Sequence, residues 1–362
     1  MRTLEKLTIK GFKSIREQTL ELDSLNVFIG GNGVGKSNLI GVFSFLQAIV
    51  EQRLSKYTAL RGGADSVFHF GRKTTKELFL ELDFKDGNER LLYQIRMQGT
   101  DNGELAVEQE TTAWSDGVDE PLATENVAYW TRESGLKGSG EFWAKTILEI
   151  IRDFQIYHFH DTSETSPMRA LCDLEDNHNL RPKGENLAAF LFFLKLKHPD
   201  HFSLIEATIQ QVAPFFGGFN LQPSRLNEDK IQIEWEESGH PGYFNGSALS
   251  DGTLRFICLC ALLLQPELPT LLVLDEPELG LHPAAIALLA DLLVAASGKT
   301  QIIVATQSVT LVNQLTPEQV WTVNREGDQS VFTKLDQTDY STWLDDYALG
   351  ELWEKNLINA RP

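Results

Sequence analysis

Val27-Phe28-Ile29-Gly30-Gly31-Asn32-Gly33-Val34-Gly35-Lys36-Ser37 decides how this chain is read. An apolar strand runs into a glycine-rich turn, and a helical pattern follows from about Lys36 to Arg53. Residues 30–37 match GxxxxGK[ST] in full and in the right context. The glycines let backbone N–H groups turn inward around phosphate oxygens without a Cβ clash. The helix beginning near Lys36 aims its positive dipole end at the same anion. Gly30, Gly31, Asn32, Gly33, Val34, Gly35, Lys36, Ser37 and Asn38 are the candidate nucleotide-binding residues. Lys36 supplies a compact charge to β- and γ-phosphates, and Ser37 a hydroxyl to Mg2+. A glycine-rich hairpin turn would explain neither flank.

Working outward, Leu271-Leu272-Val273-Leu274-Asp275-Glu276 is a second apolar strand that ends in two carboxylates. In open α/β sheets, ligands sit at the carboxyl ends of strands. Asp275 is placed to hold the Mg2+ hydration shell, and Glu276 to orient and polarise an attacking water. Gln301 to Ser308 reads as another core strand with a polar end. There Gln307 is either a sensor that hydrogen-bonds a γ-phosphate or a buried strand-end amide. Upstream, Leu249-Ser250-Asp251-Gly252-Thr253 precedes an apolar helix from Leu254 to Leu264. Its residues suit a helix N-terminus, and taken alone the turn is an ordinary cap.

The rest of the chain supplies the context. Leu4 to Gly11, Gln18 to Ile29, Leu78 to Phe84, Leu91 to Met97 and Leu105 to Trp114 read as strands. Asp101 to Glu141, with ten acidic residues against two basic, reads as a solvated, loop-rich insertion. Helices are expected at Phe142 to Phe154, Asn186 to Lys197 and Phe202 to Val212, with a short strand at Gln155 to Phe159. Further strands are expected at Asn220 to Pro223 and Ile231 to Trp235. From Leu249 onward, turns, helices and fully apolar strands alternate, the rhythm of a parallel sheet. A hairpin over Gln319 to Asn324 and Val331 to Leu335 closes it, and Thr342 to Asn356 reads as an acidic helix.

Composition sets the limits. The 362 residues carry a formal net charge of −19, so nucleic acid could be met only through a local patch or a partner. Met1 to Arg16 and Arg53 to Lys76 are basic clusters that fit such a patch or solvated strand edges equally well. Cys172, Cys258 and Cys260 make no disulfide framework, which suits a reducing cytoplasm. The run Phe256 to Leu264 is too short to span a bilayer, so no membrane partner is expected. His158 and His160 stand two apart on a strand and face one way, with Asp161 facing the other, so they read as core or interface histidines.

Together these motifs resemble the ABC-type heads of the RecF, SMC and OLD ATPases. Ser250-Asp251-Gly252 is similar to their signature turn, and Gln307 stands at their switch position. Gly11-Phe12-Lys13-Ser14-Ile15 looks like their opening strand, and Glu278-Leu279-Gly280-Leu281-His282-Pro283 like the loop that crosses their dimer interface. The tail Gly350 to Asn356 looks like that of stand-alone OLD-like ATPases. The resemblance implies an α/β fold: a P-loop NTPase head with a mixed sheet, an antiparallel β subdomain and a helical insertion. Residues 1–84 and 215–335 would form the head, 85–214 an inserted lid or docking region, and 336–362 a C-terminal helix. It implies ATP and Mg2+ as ligands, with Lys36, Glu276 and Gln307 catalytic and Ser37 and Asp275 at the metal. It implies ATP hydrolysis with an ATP-dependent homodimer, in which Ser250, Asp251 and Gly252 act on the partner copy's site. Asp251, which would repel a phosphate, is expected to turn back and cap its helix. ABC heads also carry a glutamine that completes the Mg2+ shell; His69 in Phe68-His69-Phe70-Gly71 stands near the expected place, and its role is left open. Few residues follow the last hairpin, so the nuclease domain of OLD proteins is expected to be a separately encoded effector. Phage defence or DNA repair follows by analogy. The competing assignment, the nucleotide-binding subunit of an ABC transporter, is disfavoured by the signature form, Asn38 and the acidic insertion.

Overall fold

The computed structural model describes residues 2–117, 123–358 and 360. The chain opens with β1 (Thr3–Phe12), β2 (Ile15–Glu21) and β3 (Leu25–Ile29), followed by α1 (Lys36–Val50). β4 (Glu77–Asp86), β5 (Glu89–Gly99), β6 (Leu105–Ser115) and β7 (Ala123–Thr131) form an antiparallel meander. Next come α2 (Phe142–Arg152), β8 (Phe154–Tyr157), α3 (Leu187–Lys197), α4 (Pro199–Val212) and α5 (Asp251–Leu263). The final third runs β9 (Leu271–Asp275), α6 (Pro283–Ser297), β10 (Gln301–Thr306), β11 (Val320–Glu326) and β12 (Gln329–Lys334). Two short helices, α7 (Gln337–Leu344) and α8 (Leu349–Glu354), end it.

Two six-stranded sheets result, ordered β2-β1-β4-β5-β6-β7 and β12-β11-β3-β10-β9-β8. The first is antiparallel throughout. In the second, β11, β3, β10, β9 and β8 run parallel, and β12 returns antiparallel. Its central strands β3, β10 and β9 are largely apolar on both faces because both faces are covered. Leu25, Val27, Leu272, Leu274, Ile302 and Val304 pack into a core with α3, α4, α5 and α6. Phe28, Leu271, Val273, Ile303 and Ala305 point the other way, into a core with α1 and the first sheet. Gln301 ties the sheets together. Its amide donates to the carbonyls of Leu4 at 2.9 Å and Asp23 at 3.0 Å and accepts from the Leu4 N–H at 3.0 Å.

Several expectations need correction. The single strand expected over Gln18 to Ile29 is two strands in different sheets. Asn26 stabilises the break by accepting from the Asp23 N–H and donating to its carbonyl. The span Asp101 to Glu141 is less loop-rich than expected: β6 and β7 occupy about half of it, and α2 follows directly. Its acidic residues Asp119 and Glu120 lie outside the described residues. Charge alone misled there, because β7 is an edge strand whose side chains face water. The span 85–214 thus supplies strands to both sheets, β5–β7 to one and β8 to the other. Around 220–235 the strands are Phe216–Phe219, Pro223–Ser224, Asn227–Ile231 and Glu234–Glu237, in two small sheets. The helix expected over Thr342 to Asn356 is α7 and α8, separated by a turn in which Tyr347 N–H bonds the Trp343 carbonyl. Leu352 and Trp353 are fully buried, so α8 packs into the core, whereas α7 holds no buried residue and leaves Trp343 exposed. Among the described residues no helix is long and apolar enough to cross a membrane.

Glu110 on β6 is fully buried, a choice charge alone would forbid. It accepts from the Tyr93 hydroxyl at 2.6 Å, the Ser134 hydroxyl at 2.7 Å and the Gly135 N–H at 2.7 Å. Burial pushes its carboxyl above the ordinary range, and the three donors oppose that shift. Glu110→Ala leaves those donors unpaired in a dry site. The expected cost is about 3 kcal/mol, seen as a fall of several degrees in a thermal melt. An unchanged melt would show that the network contributes nothing net.

Candidate functional site

Register builds the site. Ile29 pairs with Thr306, and Asp275 pairs with Ala305, in neighbouring parallel strands. The residues just beyond the strand ends are Gly30, Gln307 and Glu276, so the phosphate loop, the polar strand end and the acid pair meet at one edge. Gln307 Nε2 donates to Glu276 Oε1 at 2.6 Å and to Asn32 Oδ1 at 3.0 Å. Asn32, Lys36, Ser37, Asn38, Glu276 and Gln307 line one cleft together with the loop glycines. Glu276 holds φ of 44°, a left-handed conformation that costs a non-glycine residue about 1–2 kcal/mol. Such strain concentrates at functional positions.

The loop is braced from outside. At Gly35, with φ of 123°, a Cβ would sit 2.1 Å from Ser330 Oγ on β12. Ser330 Oγ donates to the Val34 carbonyl at 2.5 Å and lies at hydrogen-bond distance, 2.7 Å, from the Ser14 hydroxyl. Asn38 Nδ2 donates to Ser14 Oγ at 2.6 Å. The closing hairpin therefore presses on the back of the loop through small side chains. Lys36 is buried, and its ammonium donates to the carbonyls of Gly30 and Gly31. Burial lowers its pKa, while Glu276, Asp275 and Glu278 oppose that shift. Glu278 is also buried, which raises its carboxyl, with hydrogen bonds from Thr306 and the Gln307 N–H acting against this.

Ser250, Asp251 and Gly252 do not line this cleft. Ser250, not Asp251, is the cap of α5: its Oγ accepts the Thr253 N–H at 3.2 Å. Asp251 instead turns to Arg169, whose guanidinium donates to it at 2.8 Å. The correction has a plain cause, since a largely buried cation stands beside the turn. Arg169 also donates to the carbonyls of Thr162, Gly246 and Leu249, so it is the hub of the turn. No sequence pattern marked Arg169. Gly252 packs on the loop after the acid pair, where a Cβ would sit 2.6 Å from the Gly280 carbonyl oxygen.

His69 does not reach the site. It is buried, with Nδ1 at 2.7 Å from the Lys13 carbonyl, and does not line the cleft. The histidines read as core or interface residues stand there instead. His158 Nδ1 lies 3.6 Å from Asp275 Oδ2, and His160 Nε2 lies 3.0 Å from the Asp275 carbonyl oxygen. Neither is fully buried. Their position was hidden because β8 comes from a distant part of the chain and pairs with β9 only in the fold.

Arg169→Ala strips its acceptors of their one shared donor and is expected to cost about 3 kcal/mol. Asp251→Ala removes an exposed carboxylate and leaves Arg169 its carbonyl acceptors, so it should cost at most about 1 kcal/mol. Chemical denaturation of the two variants separates these outcomes, and equal costs would refute the hub assignment.

Comparison with known proteins fits this geometry. Residues 25–313 match the family described as "AAA domain, putative AbiEii toxin, Type IV TA system". The DNA replication and repair protein RecF of Renibacterium salmoninarum is 36% identical over 84 residues, 22% of this chain and 21% of that protein. RecF of Acidothermus cellulolyticus is 34% identical over 82 residues, 22% of each. The chain thus matches about a fifth of the length of these curated relatives. An SMC head bound to the C-winged helix domain of ScpA superposes with a TM-score of 0.64 at 15% identity, over 94% of this chain and 99% of that one. The Smc head with an extended coiled coil, bound to the C-terminal domain of ScpA derived from Pyrococcus furiosus, gives 0.59 at 14% identity, over 96% and 99%. At such identity the two structures speak for the fold alone. Because the family match runs from the strand before the phosphate loop to beyond Gln307, the chain belongs to this AAA-domain family, on the ABC-type head fold of the RecF/SMC group.

Proposed function

We propose that this chain is an ATP-hydrolysing molecular switch that dimerises on ATP and controls a separately encoded DNA-acting effector. The observation that carries the reading is the Gln307 bridge, which joins Glu276 to Asn32 of the phosphate loop. A carboxylate held there can orient and polarise a water toward a γ-phosphate seated on the loop. Lys36 would exchange its carbonyl partners for phosphate oxygens. Ser37 and Asp275 offer the hard oxygen ligands that suit Mg2+, which when bound neutralises charge on the β- and γ-phosphates. A further hollow lined by Lys13, Lys73, Arg325, Asp65 and Asp328 exposes the ring of Phe70, a surface on which a nucleobase can stack.

Dimerisation draws support from the turn at Ser250. It opens α5, whose N-terminus Ser250 caps, yet lines no part of its own cleft. A second copy's phosphates are its natural ligand in heads of this type. The effector reading, with a nuclease as first candidate, rests on analogy with the OLD group, as does a role in phage defence or DNA repair. The RecF relatives are named for DNA replication and repair, and the SMC neighbours bind ScpA. For DNA itself, Arg53, Lys56 and Arg61 open onto one shallow depression of an otherwise acidic chain.

Lys36→Ala should abolish ATP binding in isothermal titration, because the phosphates lose their one fixed cation. Unchanged affinity in that variant rules out the phosphate-loop assignment. Glu276→Gln should bind ATP with Mg2+, hydrolyse it at least about 100-fold more slowly, and accumulate as a dimer in light scattering. A mass that stays monomeric with ATP counts against the switch.

A further inference from the structure

We propose that His158, His160 and Asp275 form a binding site for a divalent first-row transition ion of the zinc or cobalt class, beside the phosphate loop. One ligand atom from each side chain lies within 4.8 Å of the other two. Such ions bind imidazole nitrogen and carboxylate oxygen at about 2.0–2.2 Å, which sets ligands about 3–4 Å apart. Small side-chain rotations therefore close the three onto one ion. Two imidazoles and a carboxylate select against Mg2+, which takes oxygen ligands, and in favour of ions with affinity for nitrogen. The proposed ion thus differs in ligand chemistry from the Ser37–Asp275 set, although both use Asp275.

The surroundings are those of a built site. Arg255 is buried on α5 and donates to the carbonyls of Phe159 at 2.7 Å and His160 at 3.2 Å. The His158 N–H donates to the Pro182 carbonyl at 3.1 Å. The backbone that carries both rings is thus held on each side. Asp275 is fixed as the last residue of β9, paired in register with Ala305. The rings themselves stay partly open to solvent, so water can fill the remaining coordination positions. A plain ion pair explains the scene less well. At 3.6 Å the His158–Asp275 contact is longer than a hydrogen bond. His160 Nε2, 3.0 Å from the Asp275 carbonyl oxygen, is held at the same strand end and can turn from that carbonyl to an ion.

The test uses the full chain without nucleotide or Mg2+, so its result does not depend on the ATPase reading. Co2+ is titrated and followed by the visible absorption of the bound ion. Saturation at one ion per chain is expected. His158→Ala and His160→Ala should each weaken binding at least tenfold, and the double variant should abolish it. Ser37→Ala should bind Co2+ as the parent does. Thermal melts of the metal-free variants separate loss of binding from loss of folding, and His158→Gln with His160→Gln replaces the alanine pair if the latter unfolds. Absence of Co2+ binding by the parent, binding that survives loss of both imidazoles, or binding that requires Ser37 would each overturn the proposal.

Discussion

The parallel register of β3, β10 and β9 is the constraint on which everything else depends. Ile29 beside Thr306 and Ala305 beside Asp275 put three chain reversals at the same height along one sheet edge. Each reversal then delivers one chemical part: a ring of N–H groups, an amide and a carboxylate. A slip of one residue would turn every apolar side chain of a strand to the other face. Both faces of these strands are buried in different cores, so the sheet resists such a slip from two sides.

Polar contacts then convert alignment into a working arrangement. Gln307 holds Glu276 toward Asn32, and the left-handed backbone at Glu276 gives its side chain that direction. Behind the loop, Ser330, Ser14 and Asn38 share short hydrogen bonds, and they pack so close that Gly35 has no room for a Cβ. The signature-like turn is tied into the same molecule by Arg169 and by the contact of Gly252 with Gly280. Movement in the loop after the acid pair therefore meets the turn directly. That contact offers a physical route from the cleft to the signature-like turn.

The β8 segment has a similar double position. It is the edge strand beside β9, and its end bears His158 and His160 against Asp275. Arg255 on α5 clamps the same stretch from behind. The chain then passes through the loop that holds Arg169. One continuous segment thus touches the acid pair, the helix of the signature-like turn and the turn itself.

The phosphate loop, the acid pair, the core strands and the cap-like turn were legible in the sequence because each is local. Glycine spacing, an apolar run and a terminal carboxylate state their chemistry within ten residues. What the sequence by itself determined was therefore the class of the head and most of the residues that gather at its cleft. The tertiary structure alone decided the rest, since those features rest on pairs far apart in the chain. His158 and His160 meet Asp275 across more than a hundred residues, and Arg169 meets Asp251 across about eighty. Whether Glu110 would be solvated or buried depended on Tyr93, Ser134 and Gly135 being folded around it. Whether Ser250 or Asp251 capped α5 depended on a cation brought in from another element. Local pattern carries backbone propensity and ligand type, but the free energy of a charge is set by its neighbours in space, which only the fold assembles.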